Sequence, residues 1–335
     1  MKARATFFLI LLFNTIFLFS QEPQFEWAVG FGGTSSTVCR SIEVDNAGNV
    51  YSLGTFAGIV DFDPDTGVYF LTSNGGNDIF ITKLNSSGNF VWAKSFGSNS
   101  SDGGNSIDID AFGNIYVSGF FKDTTDFDPG IGVFNLISNG NDDIYISKFD
   151  SLGNFIWAKT MGGSENDGCM SIVVDSIGCV YSTGIFVGIA DFDPGIGVYN
   201  LTSNGQNDVF VSKLDSSGNF IWAKSFSGSE TMAGNSITLD TSEKVIITGV
   251  FYGTVDFDPG IGVYNLTSNG EIDVFISKLD SSGNFIWAKS FGSNSTDAGN
   301  FIATDADRNI YVTGFFHNTV DFDPGIGVFN LTSIG

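Results

Sequence analysis

Short apolar runs alternate with clusters of turn-forming residues along the whole chain. Runs such as 79–84 and 155–159 place apolar side chains on both faces of an extended segment, whereas Gly, Asn and Asp gather between the runs. This pattern predicts short antiparallel strands joined by hairpins, because turn residues end one strand and let the next return beside it. Apolar residues on both faces predict sheets that are covered on both sides.

The whole pattern recurs every 65 residues. The recurring positions are five tryptophans (Trp27, Trp92, Trp157, Trp222 and Trp287), five glycines (Gly54, Gly119, Gly184, Gly249 and Gly314) and five Asp-Phe-Asp-Pro motifs, which begin at Asp61, Asp126, Asp191, Asp256 and Asp321. A period without drift is typical of one supersecondary unit copied along the chain. The copies are expected to fill residues 21–335 as a single repeat domain.

Each copy is predicted to hold four strands and an extra hairpin. In the second copy the strands fall at 89–96, 105–110, 115–121 and 143–149. The extra hairpin lies between the last two strands and runs from the Asp126 motif to 133–137. At its turn, Pro129 favours a φ of about −65°, and Gly130 is expected to take the positive φ of a type II turn.

This organisation predicts an all-β fold, a β-propeller built from five 65-residue repeats with four-stranded blades. A parallel β-helix has much shorter coils of about 20–30 residues, so the period argues against it. Residues 25–29 are predicted to be a lone tryptophan strand that completes the last blade and closes the ring.

The last blade is predicted to be incomplete, because the sequence stops before a strand equivalent to 273–279. Two explanations are open. Either five blades close with one strand missing, or the sequence is a fragment of a longer array. We expect the second explanation, that the sequence is a fragment of a longer array.

Residues 1–20 have the pattern of a secretory signal peptide. Lys2 and Arg4 precede an apolar run at 7–19, and Ser20 is a small residue before the expected cleavage site. The run is shorter than the roughly 20 residues of a membrane-spanning helix. Gln21 stands where a lipoprotein would have Cys, so no lipid anchor is expected. We therefore expect a protein that is exported, either secreted or held at the cell surface.

The net negative charge of the chain argues against some classes of binding partner. The sequence has 14 Lys and Arg against 37 Asp and Glu, and removal of the signal peptide would leave 12 against 37, a net charge of −25. Such a surface repels nucleic-acid phosphates and anionic lipid. We expect a protein or glycan ligand, no nucleic acid, no membrane insertion, and a monomer.

Few residues of this chain suit catalysis or zinc. Its three cysteines, Cys39, Cys169 and Cys179, are an odd number and are expected to be free and structural. His317 is the single histidine, which disfavours a His/Cys zinc site or a Ser-His-Asp triad. No catalytic or cofactor-binding residue is predicted.

The Asp-Phe-Asp-Pro motifs offer one candidate metal site per copy. Two aspartates that are two residues apart on an extended segment point to one side, where both carboxylates can meet a calcium ion. The candidate ligands are Asp61, Asp63, Asp126, Asp128, Asp191, Asp193, Asp256, Asp258, Asp321 and Asp323. In the alternative interpretation these aspartates only accept backbone hydrogen bonds within the turn. A second series of recurring aspartates stands at the start of hairpin turns, and the turn alone explains these residues: Asp45, Asp110, Asp175, Asp240 and Asp305.

A resemblance to a known family rests on three segments, GNVYSLGTFAGIVDFDP, DIYISKFDSLGNFIWAKTMGG and DVFISKLDSSGNFIWAKSFG. They resemble the secreted bacterial β-propeller repeat family, known as the SBBP repeat, and the resemblance covers residues 25 to 335. It implies exported, non-catalytic propeller arrays of surface proteins in Gram-negative bacteria, often with a separate C-terminal sorting module. The family has no assigned catalytic residues.

Two classes of function follow. We expect a non-enzymatic binding or scaffold module for protein or glycan at the cell surface, because near-identical copies spread the same residues evenly around an axis. The alternative is a carboxylate-dependent glycan hydrolase or lyase. It would use Glu43 and Asp108, which fill one slot in adjacent copies where the others have Val173, Thr238 and Ala303. If that strand lines a channel, the two carboxylates approach each other and shift a pKa.

Overall fold

The computed structural model describes residues 24–33 and 35–334, and the signal peptide predicted at 1–20 lies outside them. All regular elements of the described residues are β-strands. Within these residues there is no helix long and apolar enough to cross a membrane.

The first two copies share one order of strands. The first copy contains β1 (Gly32–Gly33), β2 (Thr37–Val44), β3 (Val50–Phe56), β4 (Ile59–Asp61), β5 (Phe70–Thr72), β6 (Asp78–Leu84) and β7 (Phe90–Phe96). The second contains β8 (Gly103–Ile109), β9 (Ile115–Phe121), β10 (Thr124–Asp126), β11 (Asn135–Ile137), β12 (Asp143–Phe149) and β13 (Phe155–Gly163).

The later copies repeat this order. The third copy contains β14 (Gly168–Val174), β15 (Val180–Phe186), β16 (Ile189–Asp191), β17 (Asn200–Thr202), β18 (Asp208–Leu214) and β19 (Phe220–Gly228). The fourth contains β20 (Met232–Leu239), β21 (Val245–Phe251), β22 (Thr254–Asp256), β23 (Asn265–Thr267), β24 (Asp273–Leu279) and β25 (Phe285–Phe291). The fifth contains β26 (Ala298–Thr304), β27 (Ile310–Phe315), β28 (Thr319–Asp321) and β29 (Asn330–Thr332).

Four strands of each of the first four copies form one antiparallel sheet, which we call a blade. The blades have the orders β2-β3-β6-β7, β8-β9-β12-β13, β14-β15-β18-β19 and β20-β21-β24-β25. The tryptophan strand is therefore the last strand of its blade, whereas the sequence analysis placed it first in the following copy. In the fifth copy, β26 pairs with β27 alone among the described strands.

The predicted strand at 25–29 is not formed, since residues 24–31 have no strand assignment. A fourth strand needs a third strand beside it, and no strand of the described residues pairs with this segment. Trp27 nevertheless packs on the first blade, where its indole Nε1 donates a hydrogen bond to the Ser86 carbonyl at 3.1 Å.

The first strands of successive copies, β2, β8, β14, β20 and β26, pack each against the next. A serine on each of the first four accepts a hydrogen bond from the backbone N–H of an isoleucine in the next copy. These bonds join Ser41 to Ile107 (3.3 Å), Ser106 to Ile172 (3.1 Å), Ser171 to Ile237 (3.2 Å) and Ser236 to Ile302 (3.3 Å). The same bond at every joint gives each blade the same offset from its neighbour.

The recurring glycines sit where each blade is tightest. Gly119 on β9 lies opposite Gly104 on β8, beside an irregularity of register between Gly104 and Ser106. A Cβ at position 119 would overlap the Gly103 carbonyl oxygen, and the other four glycines face an equivalent carbonyl. The glycine series therefore permits the bulge within the pairing of the first and second strands.

Each Asp-Phe-Asp-Pro motif begins at the last residue of the first strand of an extra hairpin, and in the first, third and fourth copies this hairpin pairs with a strand that precedes its own blade. The hairpin of the third copy continues the sheet of the second, because Gly162 on β13 pairs with Asp191 on β16. The motif's phenylalanine is a core residue: Phe127 is fully buried, and its ring lies 5.1 Å from that of Tyr145. The hairpin thus covers the seam between neighbouring blades.

The turn of this hairpin differs from the predicted type II turn. Gly130 does not take a positive φ. Its N–H instead donates to Asp128 Oδ1 at 2.8 Å, so the aspartate side chain reverses the chain at this point.

Candidate functional site

A central cavity of about 650 Å³ is bordered by the first strands of all five copies. Its walls include Glu43 and Asp108 beside the apolar residues Ile172, Ile237 and Phe301. Since one cavity is shared by five consecutive copies, their first strands face a common axis. Alternation along these strands decides which side chains reach the cavity.

The acidic pair identified in the sequence borders this cavity. Burial, followed by the nearby charge of Asp108, raises the pKa of Glu43 to about 7. Burial also raises the pKa of Asp108 to about 6. Two neighbouring carboxylates that both leave water favour the neutral acid, as the sequence analysis expected for a strand that lines a channel.

Asp108 has a structural role that limits its chemistry. Its Oδ2 accepts the N–H of Val174 at 2.6 Å, and its Oδ1 accepts the N–H of Ile109 at 2.7 Å. The bond to Val174 ties β8 to β14, and the bond to Ile109 stays within β8. A carboxylate that already accepts two backbone donors is held in place and is a weaker nucleophile than a free one.

The aspartates of the five motifs organise their own hairpins. Asp126 Oδ1 accepts the N–H groups of Asp128 at 3.1 Å and Phe134 at 2.8 Å. Equivalent bonds are made by Asp61, Asp63, Asp191, Asp193, Asp256, Asp258, Asp321 and Asp323. No three His, Cys, Asp or Glu side chains of the described residues converge as metal ligands. The turn geometry accounts for one oxygen of each carboxylate, and calcium at these motifs stays a prediction.

The turn aspartates of the second series hold their hairpins as predicted. Asp110 Oδ1 accepts the N–H groups of Phe112 and Asn114, both at 2.9 Å. Its Oδ2 also accepts the Tyr116 hydroxyl at 3.1 Å, although that tyrosine is fully buried in the blade.

The sequence analysis missed a row of apolar loop tips, which we call the isoleucine tips. One isoleucine in each of the last four copies, between two glycines of the extra hairpin, is essentially fully exposed: Ile131 (108%), Ile196 (109%), Ile261 (108%) and Ile326 (107%). The first copy has Thr66 in the equivalent slot. The signal was present in the recurring Gly-Ile-Gly-Val, but a short apolar motif beside a turn suggests burial as readily as exposure.

The isoleucine tips project from a rigid support. The ring of Phe134 packs on that of Phe155 with 4.9 Å between centroids, which fixes the hairpin against the fourth strand of its blade. Beside Ile131 lies a groove of about 240 Å³ that is lined by Lys94 and Asp128. The tip at Ile131 therefore offers an apolar side chain next to polar groups.

The cysteines and the histidine form no reactive centre among the described residues. All three cysteines are free, as predicted, with Cys39 exposed and Cys169 and Cys179 buried. Burial raises the pKa of the Cys169 thiol to about 12, so this sulfur stays protonated and unreactive. His317 Nδ1 lies 2.5 Å from the Thr296 carbonyl oxygen in a surface loop.

Two curated proteins are similar to this chain. An uncharacterized WD repeat-containing protein, L264, of Acanthamoeba polyphaga mimivirus is 24% identical over 265 residues, which cover 68% of this chain and 19% of that protein. Regulatory protein FlaEY of Caulobacter vibrioides is 22% identical over 218 residues, which cover 64% of this chain and 22% of that protein. The chain thus spans about a fifth of the length of either relative.

No protein-family model matches the sequence, so the resemblance to the SBBP repeat stays a prediction. The WD-repeat relative and the repeated four-stranded antiparallel sheets agree on a coarser description. The chain is a β-propeller-like repeat protein.

Proposed function

We propose that this protein is a non-catalytic scaffold that binds a partner protein through its isoleucine tips. The observation that carries the proposal is the full exposure of Ile131, Ile196, Ile261 and Ile326 at equivalent positions. An exposed isoleucine adds nothing to the stability of the fold, whereas its burial against a partner would contribute about 1.5–3 kcal/mol per side chain to the free energy of binding. The similarity to a WD repeat-containing protein supports a scaffold role.

Several tips in fixed positions suit a multivalent contact. An aromatic pair lies beneath the tips of Ile131, Ile196 and Ile261, and the hairpins of Ile196 and Ile261 also pair with the preceding blade, so these tips keep a constant arrangement. A partner that binds two tips loses its translational and rotational entropy only once, so its affinity exceeds that for a single tip. We propose a partner with an apolar groove bordered by basic residues, which would complement the acidic chain.

The test replaces all four isoleucines by threonine, the residue that the first copy has at this slot (Thr66). A protein captured from surface extracts of the source organism is purified, and its Kd is measured for wild type and variant. We expect the variant to keep the wild-type Tm and to bind at least tenfold more weakly. The control is Ile177→Thr, which removes a 70% exposed isoleucine from a different loop. Equal affinity for all three proteins would contradict the proposal.

A glycan hydrolase or lyase is the second candidate, favoured by Glu43 with its raised pKa in the central cavity. A general acid with a pKa of about 7 beside a second carboxylate suits such chemistry. The fixed hydrogen bonds of Asp108 count against it. Release of reducing ends from polysaccharides by wild type, and its loss in Glu43→Gln, would favour the enzyme over the scaffold.

We further propose that the copies are five repeats of one propeller and that the protein is exported to the cell surface or beyond. The shared cavity and the recurring Ser–Ile bonds support the first statement. The charged start and apolar run of residues 1–20 support the second. Cell fractionation with and without residues 1–20 tests export directly.

A further inference from the structure

Pairs of buried aspartates lie at three of the joints between copies. Each pair joins the first residue of a third strand to an aspartate at or beside the start of the next copy's first strand. The pairs, which we call the carboxyl pairs, are Asp78 with Asp102, Asp143 with Asp167, and Asp273 with Asp297, and each of these six residues is at most 1% exposed.

The two members of a carboxyl pair are close neighbours. A Cβ at position 162 would lie 2.7 Å from Asp143 Oδ1 and 3.0 Å from Asp167 Oδ2. The backbone adds a direct link, because the N–H of Asp167 donates to the Asp142 carbonyl at 2.7 Å. Equivalent backbone bonds join Asp102 to Asn77 at 2.8 Å and Asp297 to Ile272 at 2.7 Å.

Three of the four carboxyl oxygens in each pair accept backbone hydrogen bonds. Asp167 accepts the N–H of Gly163 at 2.7 Å and of Val187 at 3.0 Å, while Asp143 Oδ2 accepts the N–H of Asn139 at 2.9 Å. The fourth oxygen, Oδ1 of Asp78, Asp143 and Asp273, is buried without a partner. A buried acceptor without a donor is destabilising unless the group itself becomes the donor.

The remaining joint shows what happens without the second carboxylate. Met232 occupies the slot of Asp102, Asp167 and Asp297, and Ser227 occupies the slot of Gly97, Gly162 and Gly292. Here Asp208 accepts the hydroxyl of Ser227 at 2.9 Å and the N–H of Gly228 at 3.4 Å, and no oxygen of it is left alone. A donor was thus added in the one copy that lost the neighbouring carboxyl group.

We propose that Asp78, Asp143 and Asp273 are neutral carboxylic acids in the folded protein near pH 6, and that each donates a hydrogen bond from Oδ1 to the carboxylate beside it. The acid–carboxylate pairs then connect consecutive blades, and their ionisation loosens those joints as the pH rises. A proton bound to Oδ1 gives this buried oxygen a hydrogen-bond partner, and the site needs no extra room for a water molecule or an ion.

A metal ion fits these pairs less well. Calcium takes six to eight oxygen ligands, whereas three of the four oxygens here already face backbone N–H groups. Among the residues that the structure describes, no third metal-binding side chain completes such a group.

The surroundings of the pairs are mostly acidic and support the neutral form. Burial is the main cause that raises the pKa of Asp143 to about 7 and those of Asp78 and Asp273 to about 6. Other charged or titratable groups at these joints are Asp142 with Lys122 near it, Tyr145 near Asp102, Glu165 beside Asp167, Glu271, which accepts the Thr296 hydroxyl, and His317, whose backbone N–H donates to Asp297.

The direction of the pH effect follows from these values. An aspartate in the unfolded chain has a pKa of about 3.9, so the folded chain binds more protons than the unfolded chain between about pH 4 and pH 7. The stabilisation is fully present below the unfolded pKa and is lost as the pH rises through the folded pKa. We therefore expect the Tm of the chain to fall between pH 5.5 and pH 8.5.

The direct experiment observes the protons. The chain is labelled with ¹³C at the aspartate carboxyl groups, and the carboxyl resonances are followed from pH 5 to pH 9. We expect the resonances of Asp78, Asp143 and Asp273 to titrate near pH 6 to 7, in the range where Asp108 and Asp167 also titrate, and the Asp143 resonance to disappear in Asp143→Asn. Ionisation of every aspartate below pH 5 would overturn the proposal, and this outcome needs only the folded wild type.

Stability measurements add a matched control. Asp143→Asn keeps a donor next to Asp167, so we expect a near wild-type Tm at pH 6 and a smaller fall toward pH 8.5. Asp208→Asn replaces one of two accepting oxygens by an NH₂ group that faces a donor, so it is expected to lower the Tm at both pH values and to reduce the fall less than Asp143→Asn does. Equal pH profiles for wild type and Asp143→Asn would contradict the proposal.

A third arm compares calcium with chelator at pH 7. A gain in Tm that appears in wild type and vanishes in Asp143→Asn would assign a cation to the pair and overturn the proposal. We expect any gain from calcium to be the same in both proteins.

Discussion

Single residues set the spacing of the strands in this protein. The glycine of each second strand faces a carbonyl oxygen of the first strand so closely that a methyl group has no room. A series of identical residues at a 65-residue period therefore reflects one steric requirement met five times.

Gly119→Ala is expected to destabilise the chain by about 1–3 kcal/mol, because the added Cβ forces β8 away from β9. Chemical denaturation measures the change. Gly30→Ala serves as the control, since nothing lies within 4 Å of a Cβ at that position. Equal free energies of unfolding for the two variants would contradict the steric explanation.

At the residue scale the sequence predicted turn chemistry better than burial. Asp110 begins a hairpin turn as expected, because a short carboxylate after a strand readily accepts a backbone N–H two residues further on. Asp143 also stands beside a turn, yet it is fully buried, and only the packing of the next copy brings this about. Gly130 was assigned the wrong turn because the hydrogen bond from its N–H to Asp128 was not considered.

The tryptophan strand is the element that joins neighbouring blades at their outer side. Trp222 Nε1 donates to the Ser281 carbonyl of the next copy at 3.2 Å. Trp92 occupies the same slot, but its Nε1 is buried without a partner, and the Ser151 carbonyl accepts Lys83 Nζ instead at 3.2 Å. Trp222 and Trp92 thus hold the same slot but make different hydrogen bonds.

Trp222→Phe is expected to lower stability by about 1 kcal/mol more than Trp92→Phe, because only the first loses a hydrogen bond while both lose similar ring area. Thermal and chemical denaturation of the two variants measure the difference. Equal losses would mean that ring packing alone determines the role of this strand.

The extra hairpin carries the calcium prediction. If each motif binds calcium, the ion should raise the Tm beyond the effect of magnesium, since calcium tolerates irregular oxygen geometry better. One site is worth about 2.7 kcal/mol at a calcium concentration of 100 times Kd. Melts in chelator, calcium and magnesium at matched ionic strength provide the measurement.

The matched variant is Asp126→Asn with Asp128→Asn, which should lose part of any calcium-specific gain. The same substitutions weaken the turn in every buffer, because both carboxylates accept backbone N–H groups. The same wild-type Tm in all three buffers would contradict calcium binding, and these aspartates would then serve only to form the turn.

Across the whole molecule, protection from water is uneven. Tyr116 on β9 is fully buried, whereas its counterpart Tyr311 on β27 is 56% exposed. Among the described strands, β27 pairs only with β26, so one of its edges has no partner. The two equivalent strands thus have the same sequence pattern and different surroundings.

Backbone amides of β26 and β27 are expected to exchange with deuterium at least about tenfold faster than those of β8 and β9, because local opening needs less surface to be exposed there. Hydrogen-exchange mass spectrometry of the native chain resolves the two regions. Uniform protection across these strands would mean that the fifth copy is covered in solution.

The sequence predicted the repeated unit but not the way in which units meet. Apolar alternation and turn residues determine each blade, and both are local properties. The angle between blades depends on contacts such as Ser106 with Ile172, whose partners are 66 residues apart. The slot of that serine holds Phe301 in the fifth copy, where the same bond has no acceptor hydroxyl.

The constant span of these bonds bears on how the chain acquires its structure. The serine bonds join residues 66 apart, and the tryptophan bonds of Trp27 and Trp222 join residues 59 apart. Each of these bonds therefore reaches only to the adjacent copy, and the entropy of closing its loop is the same at every step. Folding can begin at any pair of neighbouring copies and grow outward one copy at a time, at a rate that does not slow as copies are added.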